Sequence, residues 1–144
     1  MMRLADYTKH LIDLGQTIYQ WAGQIAEIDR TRREKVALYA EEIAATLARA
    51  AAALAALELA PDDRTLLLAA TRELGRVAGY IETIMSALQH HLDGRKRAGV
   101  KRRLEHLAPF ELEVAIAEIG AFRQARRLAA AEGYFRALAD ALRA

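Results

Sequence analysis

A chain of 144 residues and 16.0 kDa has the size of one domain, and its 53% hydrophobic and 28% charged residues exclude a disordered polymer. Alanine fills 32 positions, Ser one, Pro two, and Asn and Cys none, which argues for helix over sheet. Without cysteine there are no disulfides, thiolate nucleophiles or cysteine-ligated metals, a usage that suits a cytoplasmic protein.

Four segments carry helical periodicity. The first has Leu4, Tyr7, Leu11, Leu14, Ile18, Trp21, Ile25 and Ile28 at alternating steps of three and four. That is a heptad seam, tighter than the loose stripe of a surface helix. A second apolar row at Ile12, Ala22 and Ala26 would let this helix touch two neighbours. The second segment carries Val36, Tyr39, Ile43, Leu47, Ala50, Leu54 and Leu57. The seam slips between Ile28 and Val36, where Thr31-Arg32-Arg33-Glu34 has the form of a capping box. A break or sharp bend is expected there. The alternative is one rod through residue 59, about 85 Å long, since no Gly or Pro interrupts Asp29 to Lys35.

The next boundary is firmer. Ala60-Pro61-Asp62-Asp63 ends one helix and sets carboxylates at the positive start of the next. The third segment carries Leu67, Ala70, Leu74, Val77, Ile81, Ile84 and Leu88, and Asp93-Gly94 supplies its stop. The fourth follows Pro109, with Phe110, Leu112, Val114, Ile116, Ile119 and Phe122, then Leu128, Phe135, Leu138 and Leu142. Val100, Leu104 and Leu107 give the connector from Arg95 to Ala108 the pattern of a short helix. The expected fold is all-α: a four-helix antiparallel bundle over residues 1–144, with a short basic fifth helix between helices 3 and 4.

Membrane insertion and secretion are not expected. The longest uncharged run, Leu14 to Ala26, is thirteen residues, against the ~20 apolar positions a membrane-crossing helix needs. Asp6, Lys9 and Asp13 break any secretory apolar stretch at the start.

Groups suited to catalysis are scattered. His10, His90, His91 and His106 include no pair at i, i+3 or i, i+4, and no Glu-x-x-His occurs, so the di-iron bundle pattern is missing. Asp6, His10 and Asp13 share one helix face, where a solvated, helix-stabilising cluster is the simpler role. His90-His91 suits the negative end of a helix before Gly94. Ser86 lies inside a helix, away from any nucleophile elbow. Gly75 and Gly79 are too far apart for a phosphate loop and read instead as points of close helix approach. Glu111, Glu113 and Glu118 follow Pro109 and suit a helix start. No enzyme activity, cofactor or metal is expected.

Charge is unevenly placed. Arg95, Lys96, Arg97, Lys101, Arg102 and Arg103 put six cations into nine residues without an acid. Outside them 15 cations face 19 acids, so the connector carries the excess behind a net charge of +2. Such a segment suits phosphate backbones, an acidic protein surface or anionic lipid, although it equally suits a solvated connector. No aromatic residue interleaves it for base stacking. Arg30, Arg32, Arg33 and Lys35, beside Asp29 and Glu34, form a second cluster, and Arg123, Arg126 and Arg127 a third.

Arg32-Arg33-Glu34-Lys35-Val36-Ala37, followed by Tyr39 and Ile43-Ala44, resembles the opening helix of small all-helical modules of bacterial signalling and conflict systems. These are modules of the effector-associated or adaptor kind, found alone or beside NTPase, protease or TIR domains. Arg72-Glu73-Leu74 with Tyr80, and Leu92-Asp93-Gly94-Arg95-Lys96, extend the resemblance over residues 31–107. The family's second helix often carries a cysteine, which this chain lacks. The resemblance implies homotypic or heterotypic helical docking between a sensor and an effector, and it carries no catalytic residues. The expected function is a non-enzymatic interaction module that docks protein partners or self-associates as a homo- or hetero-oligomer. Its site would be Arg95, Lys96, Arg97, Lys101, Arg102 and Arg103. The competing expectation is a nucleic-acid-binding accessory subunit using the same residues.

Overall fold

The computed structural model describes residues 11–13, 15–17, 20, 30–88 and 121–143. Nearly all of them are helical, and no strand occurs among them. Three long helices stand out: α1 (Arg30–Leu59), α2 (Arg64–Leu88) and α3 (Ala121–Arg143). Residues 11–13 and 15–17 are helical as well.

Helix α1 runs without interruption from Arg30, because alanine dominates it and neither Gly nor Pro enters. The part of the expected bend that falls on Arg30–Lys35 is therefore uninterrupted helix, and Asp29 lies outside the described residues. The helix ends at the expected place. Ala60 donates its N–H to the Leu57 carbonyl at 3.1 Å, and Asp63 N–H closes the turn on the Ala60 carbonyl at 3.0 Å. Asp63 then caps α2: its Oδ1 accepts from the N–H groups of Thr65 at 3.0 Å and Leu66 at 3.4 Å. Two backbone donors that the helix itself leaves unpaired are satisfied by one carboxylate.

Burial follows the apolar rows. Val36, Ile43, Leu47, Ala50, Leu54 and Leu57 of α1 are buried, with Tyr39 half-buried among them. A second row, Ala37 and Ala44, is also fully enclosed, so α1 buries more than one face. Ala70, Leu74, Val77, Ile81 and Ile84 line α2, and Ala125, Leu128, Ala131, Phe135, Leu138, Ala139 and Leu142 line α3. Leu11, from the N-terminal helical residues, is fully buried in this same core.

Helix α1 packs against both α2 and α3. Tyr39 meets Tyr80 and Arg49 meets Glu73, so α1 and α2 run antiparallel, as a four-residue link requires. Arg143, at the end of α3, meets Glu34 and Glu41 near the start of α1, so this pair is antiparallel too. On the wheel of α1, Tyr39 and Arg49 fall to one side of the buried row, and Glu34 and Glu41, reached by the long Arg143 side chain, lie at the other edge of the outward face. That outward face holds the exposed Leu38, Ala52 and Leu59.

One close approach involves a glycine that periodicity passes over. A Cβ built on Gly15 would lie 2.8 Å from Tyr134 Cε1 and 3.2 Å from Phe135 Cζ. Phe135 is fully buried, and its ring meets Tyr134 edge to face at 5.9 Å between centroids. Gly79, expected to mark a close approach, does not: nothing lies within 4 Å of its would-be Cβ. Gly75 is half-buried.

Candidate interaction surface

The six residues assigned to recognition, Arg95, Lys96, Arg97, Lys101, Arg102 and Arg103, lie outside the described residues. So do His10, His90, His91, His106, Asp93-Gly94 and Glu111, Glu113 and Glu118. Asp13 is half-buried, and its carbonyl accepts from the Thr17 hydroxyl at 2.9 Å. Ser86 is exposed on α2. Among the described residues, no group of three or more His, Cys, Asp or Glu has the arrangement to hold a metal. None of the described helices is long and apolar enough to cross a membrane.

Two polar networks tie the helices together. On the α1–α2 seam, Thr46 is fully buried and donates to the Glu42 carbonyl at 2.7 Å. Its oxygen accepts from Arg49 Nη2 at 3.1 Å, while Arg49 Nε donates to Glu73 Oε2 at 3.1 Å. Glu73 also faces Arg76 Nη1 at 3.6 Å. Arg76 Nη2 donates to the Tyr80 hydroxyl at 2.8 Å, with its guanidinium carbon 5.8 Å from the ring centroid. The Tyr80 hydroxyl, and then Glu73, push the Arg76 guanidinium above its ordinary range. It stays charged at every pH a protein tolerates. Tyr39 completes the seam at 6.0 Å from Tyr80.

On the other side, Arg143 donates from Nε to Glu34 Oε1 at 2.9 Å and from Nη1 to Glu41 Oε1. Glu41 first, then Glu34, hold this guanidinium above its ordinary range. Arg127 of α3 is half-buried, and its enclosed Nη1 has no hydrogen-bond partner among the described residues. Arg49 with Glu73, and Arg143 with Glu34 and Glu41, therefore cross-link helices, joining residues up to 109 positions apart in sequence.

Among its many exposed charged side chains, the described frame also leaves three large apolar ones in water. Leu38, Leu59 and Leu68 are exposed, Leu59 to 90%. Burying a leucine is worth ~1.5–3 kcal/mol relative to leaving it in water, so the fold forgoes that gain at three positions. Leu38 and Leu59 stand on the outward face of α1, together with Ala45 and Ala52. Sequence reading assigned these leucines no role, because they fall off the apolar seam of their helix. Comparison with family models, with curated proteins and with solved structures finds no match to the chain.

Proposed function

We propose that the chain is a helical interaction module that docks a protein partner or a second copy and makes or breaks no covalent bond. It is an antiparallel four-helix bundle whose first helix includes the N-terminal helical residues, with the basic connector between its third and fourth helices. The carrying observation is the exposure of Leu38 and Leu59 on a frame whose other α1 leucines, Leu47, Leu54 and Leu57, are buried. With Ala45 and Ala52 these leucines make one apolar strip, and an exposed apolar strip on a well-packed scaffold is surface available for association. The polar seams support the same reading, since Arg49, Glu73, Glu34, Glu41 and Arg143 are spent on holding helices together.

The basic segment, Arg95, Lys96, Arg97, Lys101, Arg102 and Arg103, is the polar half of the recognition surface and selects an acidic partner. The resemblance of residues 31–107 to adaptor modules of bacterial signalling and conflict systems points the same way, and with it to the cytoplasm. A pull-down with the chain and with a variant carrying serine at those six positions tests this. Partners lost with the variant support the assignment; a partner set retained in full refutes it. The same six charges in nine residues also favour a second reading, nucleic-acid binding. Titration with RNA and DNA at two salt concentrations separates the two, since phosphate contacts require affinity to fall steeply with salt.

A further inference from the structure

The outward face of α1 carries Leu38, Ala45, Ala52 and Leu59 at seven-residue steps. Leu38 is 48% and Leu59 90% exposed, Ala52 is exposed and Ala45 half-buried. The row reads large, small, small, large in either direction, about a point between Ala48 and Arg49. A row with this symmetry can meet a second copy of itself across a two-fold axis. A second α1 laid antiparallel on the first sets each Leu38 against Leu59 of the other copy, and each Ala45 against Ala52. The small central residues let the axes approach to about 8 Å, the short end of helix packing distances.

Charge chooses the same orientation. Arg30, Arg32, Arg33 and Lys35 crowd the first turns of α1, against the single acid Glu34. Glu58, Asp62 and Asp63 surround its other end, with Arg64 beyond. The symmetry point that matches the leucines lays the net positive start of one copy, Arg30 to Lys35, near the net negative end of the other, Glu58 to Asp63. Parallel pairing would lay basic start on basic start. Only Arg49 lies beside the axis, and it is already tied to Glu73.

We infer that the outward ridge of α1 is the interface of an antiparallel homodimer of this chain. The inference rests on the interaction-module reading and names the partner of this face. The row covers about 32 Å of helix, too narrow a strip for a standard interface, so the dimer is weak and concentration-dependent.

The chain has no cysteine, so single introduced cysteines report neighbours cleanly. Ala48→Cys stands next to the symmetry axis and should form a disulfide-linked dimer under mild oxidation. Leu38→Cys alone should not, whereas an equimolar mixture of Leu38→Cys and Leu59→Cys should cross-link between the two. Light scattering over a concentration series should show the full chain dimerising, with the dissociation constant raised at least tenfold by Leu59→Glu. That side chain is in solvent, so the variant keeps its fold, which circular dichroism verifies. A chain that stays monomeric to millimolar concentration, or cross-linking of Leu38→Cys to itself in preference to Leu59→Cys, overturns the dimer. The pull-down with the basic-segment variant is scored on different residues, so a monomer that still captures its partners removes the dimer and leaves the module.

Discussion

Three glycines that occupy helical positions should respond to the same substitution in opposite ways. Replacing a helical Gly by Ala gains about 1 kcal/mol, because Ala loses less backbone freedom on folding. At Gly133 and Gly79 an added Cβ meets nothing within 4 Å, so the gain is unopposed. At Gly15 the methyl would sit 2.8 Å from Tyr134 Cε1 and 3.2 Å from Phe135 Cζ. Tyr134 is half-buried and can shift only by dragging on the edge-to-face pair, and Phe135 is fully enclosed. Overpacking of this kind costs ~1–3 kcal/mol, which cancels or exceeds the propensity gain. Gly133→Ala and Gly79→Ala should therefore raise Tm by roughly 3 °C each, while Gly15→Ala leaves it unchanged or lowers it by up to about 6 °C. Thermal unfolding followed by circular dichroism measures all three. If Gly15→Ala stabilises the protein as much as Gly133→Ala, the N-terminal helical residues do not press on α3 as described.

Phe135→Ala removes the largest fully buried side chain among the described residues and should cost about 3–5 kcal/mol in urea unfolding, with a midpoint shift and little change in slope. Asp63→Ala leaves the Thr65 and Leu66 amides without their acceptor and should cost ~1 kcal/mol, whereas Asp63→Asn, which keeps an acceptor oxygen, should recover most of it. Arg143→Gln cuts the tie between the end of α3 and the start of α1, and its effect on Tm should shrink as salt is added. The same comparison across pH 6–9 should be flat, because Glu41 and Glu34 hold this guanidinium above its ordinary range and it never titrates there.

The apolar rows of the second and third sequence segments were legible position by position, because a three-four spacing maps directly onto one side of a helix. Val36, Ile43, Leu47, Ala50, Leu54 and Leu57 are buried as that spacing requires, and so are Ala70, Leu74, Val77, Ile81 and Ile84. The Ala60–Asp63 turn was equally legible, since proline and two aspartates specify a stop and a start by local chemistry alone. What could not be read depends on which helix lies beside which. Arg49 with Glu73, Arg143 with Glu34, and Tyr39 with Tyr80 are pairings between helices, and nothing local marks them. Gly79 was misread and Gly15 overlooked for a related reason: a glycine in a helix is the same signal whether a neighbour presses on it or solvent does. Alanine on nearly every side of α1 also hid its outward ridge, which emerges only once the packing of α2 and α3 fixes the remaining face.

The position of α1 between α2 and α3 has a bearing on how the protein comes apart. Either outer helix, detached, would strand half of the middle one in water, and the middle helix cannot leave without dismantling both boundaries at once. Local opening should therefore be confined to the periphery, and amide protons near Ile43, Leu47 and Ala50 should exchange only through global unfolding. A rigid spine of this kind holds its outer surface in one shape while the margins breathe.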